Sequence, residues 1–211
     1  MRSDPAVQQL TERAAALARR PGRAILGITG PPAAGQSTLA ETLLAELAPH
    51  AAYVPLDGFH LAHHVLEDLG TVHRKGAPDT FDAAGYVALL RRLRDPGEGT
   101  VYAPQFRREI EDSLANAIPV PPDVPLVITE GNYLLVQSGS WAELGGLLDE
   151  VWYLDLAEPA RLRWLTDRHV RYGRDATEAA ARATGPDQRN AKLIEATKPH
   201  ADLIISVIPE D

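Results

Sequence analysis

One short stretch near the N-terminus constrains the fold of this chain more than any other. An apolar run over residues 24–29 is followed by the order Gly-Pro-Pro-Ala-Ala-Gly-Gln-Ser-Thr over residues 30–38, and leucines then recur at helical spacing up to position 47. The pattern predicts a buried strand, a glycine-containing loop and a helix. This arrangement presents free backbone N–H groups and the positive end of the helix dipole to an anion.

The loop matches the phosphate-binding P-loop pattern, Gly, four residues, Gly, Lys, then Ser or Thr, at all positions but one. Gly30, Gly35 and Ser37 fit, and the Ser37 hydroxyl is a candidate Mg²⁺ ligand, but Gln36 stands in the place of the lysine. An ammonium about 4 Å from a phosphate charge contributes ~4 kcal/mol at an effective dielectric constant of about 20. We therefore expect its loss to weaken phosphoryl transfer more than nucleotide binding. The candidate nucleotide ligands are Gly30, Pro31, Pro32, Ala33, Ala34, Gly35, Gln36, Ser37 and Thr38.

Composition excludes several classes of partner. The chain has 211 residues, a formal net charge of −8 and no cysteine. The acidic balance argues against general nucleic-acid binding, and no apolar run is long enough to predict a membrane span. Without cysteine there are no disulfides or thiolate metal sites. We expect a single cytoplasmic domain over residues 1–211, with no nucleic-acid or membrane partner.

Short apolar strands alternate with helices along the rest of the chain, which predicts an α/β fold with a mainly parallel, five-stranded sheet. Residues 95–123 contain several prolines and predict a loop with a short helix near 108–117. The predicted strands are 24–29, 51–56, 126–129, 151–156 and 202–208. The predicted helices are 4–20, 37–47, 83–94, 158–172, 175–183 and 186–197.

Acidic side chains follow two of the predicted strands. Asp57 comes after the second strand, and Glu130 comes after the third. Because ligands of parallel sheets bind beyond the carboxyl ends of the strands, we expect both carboxylates near the P-loop. A carboxylate beside an acceptor hydroxyl can take its proton, and one beside Mg²⁺ can bind the ion.

Several separated segments, taken in order, resemble the uridine kinase and bacterial pantothenate kinase group of P-loop kinases. The resemblance is strongest to the branch labelled fructose transport system kinase or nucleoside/nucleotide kinase-like protein, and it covers roughly residues 20–208. The segments that carry it are Gly30–Thr38, Pro55–His60, Arg74–Asp82, Tyr102–Arg108, Ile128–Leu135, Arg161–His169 and Asp187–Ala191.

The resemblance implies an ATP-dependent kinase with a P-loop NTPase-type three-layer fold and a small helical lid at about 158–190. Asp57 would be the base at the acceptor hydroxyl, while Ser37 and Glu130 would hold Mg²⁺. Arg163 and Arg168, with Arg171 as a further candidate, would close over the phosphates, and Asn190 would join the nucleotide site. The candidates for the acceptor pocket are Phe59, His60, Arg74, Tyr102, Phe106, Arg108 and Tyr133.

The sequence leaves open whether the acceptor is a nucleoside, a sugar or a pantothenate-like molecule, and whether the chain forms a homodimer, as such kinases commonly do. Because Gln36 replaces the lysine, the alternative hypothesis is a catalytically impaired nucleotide-binding protein with a regulatory role. His60 and His64 are four residues apart, which would place them on one helix face, but they lack the glutamate of a zinc-protease motif. The tryptophans Trp141, Trp152 and Trp164 are expected to pack in the core.

Overall fold

The strands and helices alternate along the chain in the computed structural model, which describes residues 5–173 and 175–208. The strands are β1 (Ala24–Thr29), β2 (Ala51–Tyr53), β3 (Val101–Arg107), β4 (Asp112–Val120), β5 (Leu126–Glu130), β6 (Glu150–Leu156) and β7 (Leu203–Val207). The α-helices are α1 (Pro5–Ala18), α2 (Gln36–Leu47), α3 (His63–Asp68), α4 (Ala83–Arg94), α5 (Glu158–Arg171), α6 (Ala176–Thr184) and α7 (Pro186–Glu195).

Five of the strands form one parallel sheet with the order β2-β5-β1-β6-β7. Every residue of β1 and β5 is buried, as expected for central strands that are covered on both faces. One hydrophobic cluster packs α1 and α2 on the sheet, and a second cluster contains α4. The predicted α/β fold with a five-stranded parallel sheet is confirmed.

The carboxyl edge of this sheet is where the P-loop begins. β1 and β5 pair in parallel with Ile28 opposite Glu130, so that the loop after β1 starts beside the Glu130 carboxylate. Gly30 is the first loop residue, with φ +156°, and a Cβ atom there would lie 2.8 Å from the backbone oxygen of Leu154. A side chain at position 30 would therefore push the loop away from β6.

Residues 95–123 differ from the prediction. β3 and β4 form a separate antiparallel hairpin, and residues 108–117 supply its turn and the first half of β4 instead of a helix. The register shifts between Ala103 and Gln105, on either side of Pro104, which has no N–H for the ladder. This bulge and the charged turn interrupt the period-two alternation by which a strand is recognised.

Two further details correct the predicted elements. β2 ends at Tyr53 instead of residue 56, and the next residues form a 3₁₀ turn over Leu56–Phe59. His60 lies outside α3, so it does not share a helix face with His64. Helices α5 to α7 follow the predicted boundaries closely, and we call them the lid segment.

Within the described residues, no helix is both long enough and apolar enough to cross a membrane.

Candidate active site

A cavity of about 600 Å³ opens at the carboxyl edge of the parallel sheet. It lies between the P-loop, the 3₁₀ turn that contains Asp57, the β3–β4 hairpin and α5. Its lining residues are Ala33, Gly35, Gln36, Ser37, Thr38, Glu41, Tyr53, Pro55, Asp57, Gln105, Phe106, Arg108, Glu130, Trp164, Asp167, Arg168, Arg171 and Tyr172.

The P-loop side of the cavity has the features of a phosphate cradle. Helix α2 begins at Gln36 after Gly35, which has no side chain to cap the helix. The first N–H groups of an α-helix have no partner inside the helix, so those of α2 are available to an anion. Backbone donors and the helix dipole thus fit a polyphosphate even without the lysine.

Gln36 itself is turned back onto the loop. Its side chain is buried, and its Nε2 donates to the carbonyl oxygens of Gly30 at 2.7 Å and Pro31 at 3.2 Å. An amide nitrogen has two hydrogens, and both are used here. Gln36 therefore ties the start of the P-loop to the start of α2, and it directs no donor at a phosphate in this conformation.

Glu130 accepts two hydrogen bonds at the bottom of the cavity. The Ser37 hydroxyl donates to Glu130 Oε1 at 3.3 Å, and the Tyr53 hydroxyl donates to the same oxygen at 2.9 Å. Burial, and next the nearby charge of Asp57, raise the pKa of Glu130 to about 7. A hydroxyl and a carboxylate side by side are a donor set that suits Mg²⁺.

Asp57 faces the same cavity from the 3₁₀ turn, with its side chain 41% exposed. His60 holds this turn, because its Nδ1 lies 2.9 Å from the Asp57 carbonyl oxygen and its ring packs against Phe81 and Phe106. Burial lowers the pKa of His60, which favours the neutral ring. The Asp57 carboxylate is thus held at the cavity while it keeps access to a ligand.

Basic side chains approach Asp57 from two sides. Arg108, the first residue of the hairpin turn after β3, has its Nη2 3.7 Å from Asp57 Oδ2. Arg168 lies on α5 and makes neither an ion pair nor a side-chain hydrogen bond with any described residue. Burial, and next the charge of Arg108, lower the pKa of Arg168. The two guanidinium groups therefore repel each other, and no acidic side chain among the described residues pairs with Arg168 to offset this repulsion.

The structure brings some of the sequence candidates together. Those that line the cavity are Ala33, Gly35, Gln36, Ser37, Thr38, Asp57, Phe106, Arg108, Glu130 and Arg168, with Arg171 beside them. His60 does not line the cavity but holds the turn that carries Asp57. Of the P-loop, Gly30, Pro31, Pro32 and Ala34 lie outside the lining.

Other candidates lie elsewhere for identifiable reasons. Arg163 is exposed and points off the cavity face of α5. Arg74 pairs with Asp79, and Tyr102 is 50% exposed on the hairpin. The remaining three candidates make contacts inside the protein. The Phe59 ring packs on Tyr86. The Tyr133 hydroxyl and Asn190 Nδ2 both donate to the Gly76 carbonyl, the latter at 3.3 Å.

Some lining residues were missed from the sequence. Trp164 and Asp167 are two of them. Together with the predicted Arg168 and the further candidate Arg171, they follow the spacing i, i+3, i+4, i+7, which places all four on one face of α5. That spacing could have identified Trp164 as a cavity residue, instead of only a packing residue, and separated Arg163 from Arg168. Tyr53 was missed because the predicted strand continued past it.

Metal ligands of the transition-metal type do not converge in the parts of the chain that are described. There, His, Cys, Asp and Glu side chains form no group of three or more that could hold an ion. Mg²⁺ needs fewer protein ligands, since it commonly takes one or two carboxylates together with substrate phosphates and water. Ser37 and Glu130 are consistent with that smaller requirement.

Comparison with known proteins places the chain among kinases. No protein-family profile matches it. A protein of Schizosaccharomyces pombe (strain 972), provisionally named a uridine kinase, is 29% identical over 208 residues, which cover 93% of this chain and 88% of that protein. The uncharacterized protein YggC of Escherichia coli K12 is 32% identical over 196 residues, which cover 89% of this chain and 79% of YggC.

A solved structure agrees with the sequence relatives. The crystal structure of a protein from Silicibacter sp. TM1040, provisionally named a fructose transport system kinase, superposes with a TM-score of 0.83 at 35% identity. The match covers 94% of this chain and 98% of that structure.

Proposed function

Because the chain belongs to the uridine kinase and bacterial pantothenate kinase group of P-loop kinases, we propose that it transfers the γ-phosphoryl group of ATP to a hydroxyl of a small metabolite. One observation carries the proposal. The Ser37–Glu130 pair and the Asp57 carboxylate, from three separate segments, face one cavity at the end of the P-loop. Phosphoryl transfer needs this combination of phosphate cradle, metal ligands and base.

Each group has a defined part in this reaction. The N–H groups at the start of α2 would bind the phosphates, and Ser37 and Glu130 would hold Mg²⁺, which neutralises phosphate charge. Asp57 would accept the proton of the acceptor hydroxyl as its oxygen bonds to phosphorus and the bond to the ADP oxygen breaks. Arg168 and Arg171, on the cavity face of α5, would contact the phosphates.

The lid segment would reduce loss of ATP to water. Trp164 of α5 and Tyr172, which directly follows α5, bring aromatic surface to the cavity together with Phe106 of the hairpin. Exclusion of water from a closed site suppresses hydrolysis of the activated phosphoryl group. The acceptor would bind between Asp57 and the hairpin, where Gln105 and Phe106 offer polar and aromatic contacts.

The relatives support a working kinase over the catalytically impaired alternative, because they carry kinase names. Uridine and fructose occur in those names, and pantothenate kinases match a part of the chain. These names describe other proteins, so the acceptor classes to test are nucleosides, sugars and pantothenate-like hydroxy acids.

The test is acceptor-dependent ADP release with Mg-ATP against a panel of these three classes. Asp57→Asn should abolish transfer and leave ATP affinity within about twofold, because the amide cannot take a proton. Asp68→Asn, an exposed site on α3, is the matched control. Tight ATP binding without turnover of any acceptor would contradict the proposed function, and an active Asp57→Asn variant would remove Asp57 from the base role.

A further inference from the structure

The P-loop of this chain supplies no side-chain cation to a bound phosphate. Gln36 is neutral, and its Nε2 hydrogens are already bonded to the Gly30 and Pro31 carbonyls. Turning Gln36 toward a ligand would remove this donor from the Gly30 carbonyl, which costs free energy, while the Pro31 carbonyl would keep the Ala34 N–H. The positive charge opposite the γ-phosphate must therefore come from another element.

Arg108 is placed to provide it. Its Nη2 lies 3.7 Å from Asp57 Oδ2, which is too far for a hydrogen bond, so its N–H donors are not consumed by the carboxylate. In the proposed function, Asp57 marks the place where the acceptor hydroxyl meets phosphorus. A guanidinium beside it is therefore beside the transferring group.

Two aromatic rings orient this guanidinium. Arg108 Cζ lies 5.2 Å from the Tyr172 ring centroid and 6.0 Å from that of Phe106. Tyr172 follows α5, and Phe106 belongs to β3, so Arg108 spans the gap between the lid segment and the hairpin. Contact with aromatic faces leaves the in-plane N–H groups free for an oxyanion.

The neighbouring arginine of the hairpin serves as a natural contrast. Arg107 and Arg108 are similarly exposed, but Arg107 pairs with Glu109 at 3.4 Å and does not line the cavity. Of these two consecutive arginines, the last residue of β3 and the first residue of the hairpin turn, Arg108 alone lines the cavity.

We propose that Arg108 binds the γ-phosphate of ATP and supplies, from the hairpin, the charge that a lysine at position 36 would supply from the P-loop. The inference rests on the proposed function and adds a catalytic residue to it. A guanidinium can make two parallel hydrogen bonds to a phosphate, which also orients the group.

Binding of nucleotides, which needs no acceptor, tests this proposal. Arg108→Gln should reduce the preference for Mg-ATP over Mg-ADP by about tenfold in calorimetry and leave ADP affinity unchanged, because only the γ-phosphate loses a charged partner. Arg108→Lys should retain part of the preference, and Arg107→Gln should retain all of it. An unchanged ATP preference in Arg108→Gln overturns the proposal.

A second substitution tests whether a lysine at position 36 can take over the role of Arg108. Gln36→Lys introduced into Arg108→Gln should recover most of the ATP preference, and in the native chain it should change that preference less. If Gln36→Lys has the same effect in both backgrounds, the two positions do not substitute for each other and the proposal fails.

The same variants distinguish two oxyanions that Arg108 could bind, the γ-phosphate of ATP and an anionic group of the acceptor. If Arg108→Gln leaves the ATP preference unchanged and raises only the KM of acceptors with a carboxylate or phosphate, Arg108 binds the acceptor and the proposal is wrong. Failure to find any acceptor would count against the proposed function alone, since the nucleotide affinities are measured without one.

Discussion

Glu130 shows how strongly the fold can change a single residue. It ends a fully buried strand, and its carboxylate receives hydrogen bonds from Ser37 and Tyr53. These donors favour the charged form, but burial and the charge of Asp57 outweigh them and raise its pKa to about 7 from an ordinary value of 4.5. Near neutral pH, the candidate metal ligand is therefore partly protonated.

This shift predicts how stability depends on pH. As pH rises from about 4.5 to about 7, Glu130 loses its proton in the unfolded chain before it does so in the folded chain. The folded state then binds more protons, so its stability falls across this window and levels off above it. In metal-free buffer, native stability should fall by about 3 kcal/mol relative to Glu130→Gln between pH 4 and pH 8.

Urea unfolding of both chains across that range measures the difference. Glu46→Gln, at an exposed position of α2, should follow the native curve. A constant gap between the native chain and Glu130→Gln would show that Glu130 titrates normally.

At this scale, the sequence identified residues whose place follows from the motif and the strand ends. Ser37, Asp57 and Glu130 were found because the ends of parallel strands converge. The orientation of Gln36 was not predictable, since it depends on loop carbonyls that exist only in the folded P-loop. Tyr53 was also hidden, because a tyrosine at a strand end is equally compatible with packing.

The hairpin approaches the turn that contains Asp57 through a close contact between Gly58 and the backbone of β3, which only glycine permits. A Cβ atom on Gly58 would lie 2.4 Å from the backbone oxygen of Pro104 in β3. This contact brings the hairpin that carries Phe106 and Arg108 next to Asp57. Backbone meets backbone here, so neither side can give way by changing a rotamer.

Gly58→Ala should therefore separate the hairpin from the turn. We expect a loss of about 2 kcal/mol in the free energy of unfolding, as for an overpacked core position, and a weaker ATP preference if Arg108 moves with the strand. Urea unfolding and calorimetry measure the two effects. Gly146→Ala is the control, because a Cβ there has no described neighbour within 4 Å. Equal stability of the two variants would show that the contact is relaxed in solution.

Prediction of the elements succeeded where burial was simple and failed at the hairpin. β1 and β5 are covered on both faces and were found as continuous apolar runs. The hairpin pairs only with itself in the described chain, and its exposed Tyr102 and Leu114 obscure the alternation. Pro104 and Pro119 pointed to a loop, although a bulge and a strand can accommodate them.

On the scale of the whole molecule, the lid segment is joined to the segment of residues 72–82, which was expected near the acceptor but does not line the cavity. Arg182 of α6 donates to the Lys75 carbonyl at 2.9 Å, and Asn190 of α7 donates to the Gly76 carbonyl at 3.3 Å. The Tyr133 hydroxyl donates to the Gly76 carbonyl as well. Helices expected to cover ATP are thus attached to a segment expected near the acceptor.

Loosening this attachment should make closure less complete. Arg182→Gln is expected to raise the rate of ADP release without acceptor about threefold relative to the rate of transfer, because water gains access to the phosphates. A hydrogen bond of this kind contributes about 1 kcal/mol to holding the attachment. The measurement is the ratio of the two rates. Arg189→Gln, exposed on α7, should not alter that ratio. An unchanged ratio in Arg182→Gln would show that the attachment does not govern closure.

In the proposed reaction, a single backbone carbonyl, that of Gly76, would also link the departure of one product to that of the other. Helix α7 can move outward only if Asn190 releases the Gly76 carbonyl. The segment of residues 72–82 can move away only if both Tyr133 and Asn190 release that carbonyl. ADP and the phosphorylated metabolite would then leave through one shared opening motion. Each product should in that case strengthen inhibition by the other. A high concentration of the phosphorylated metabolite would then slow the consumption of ATP.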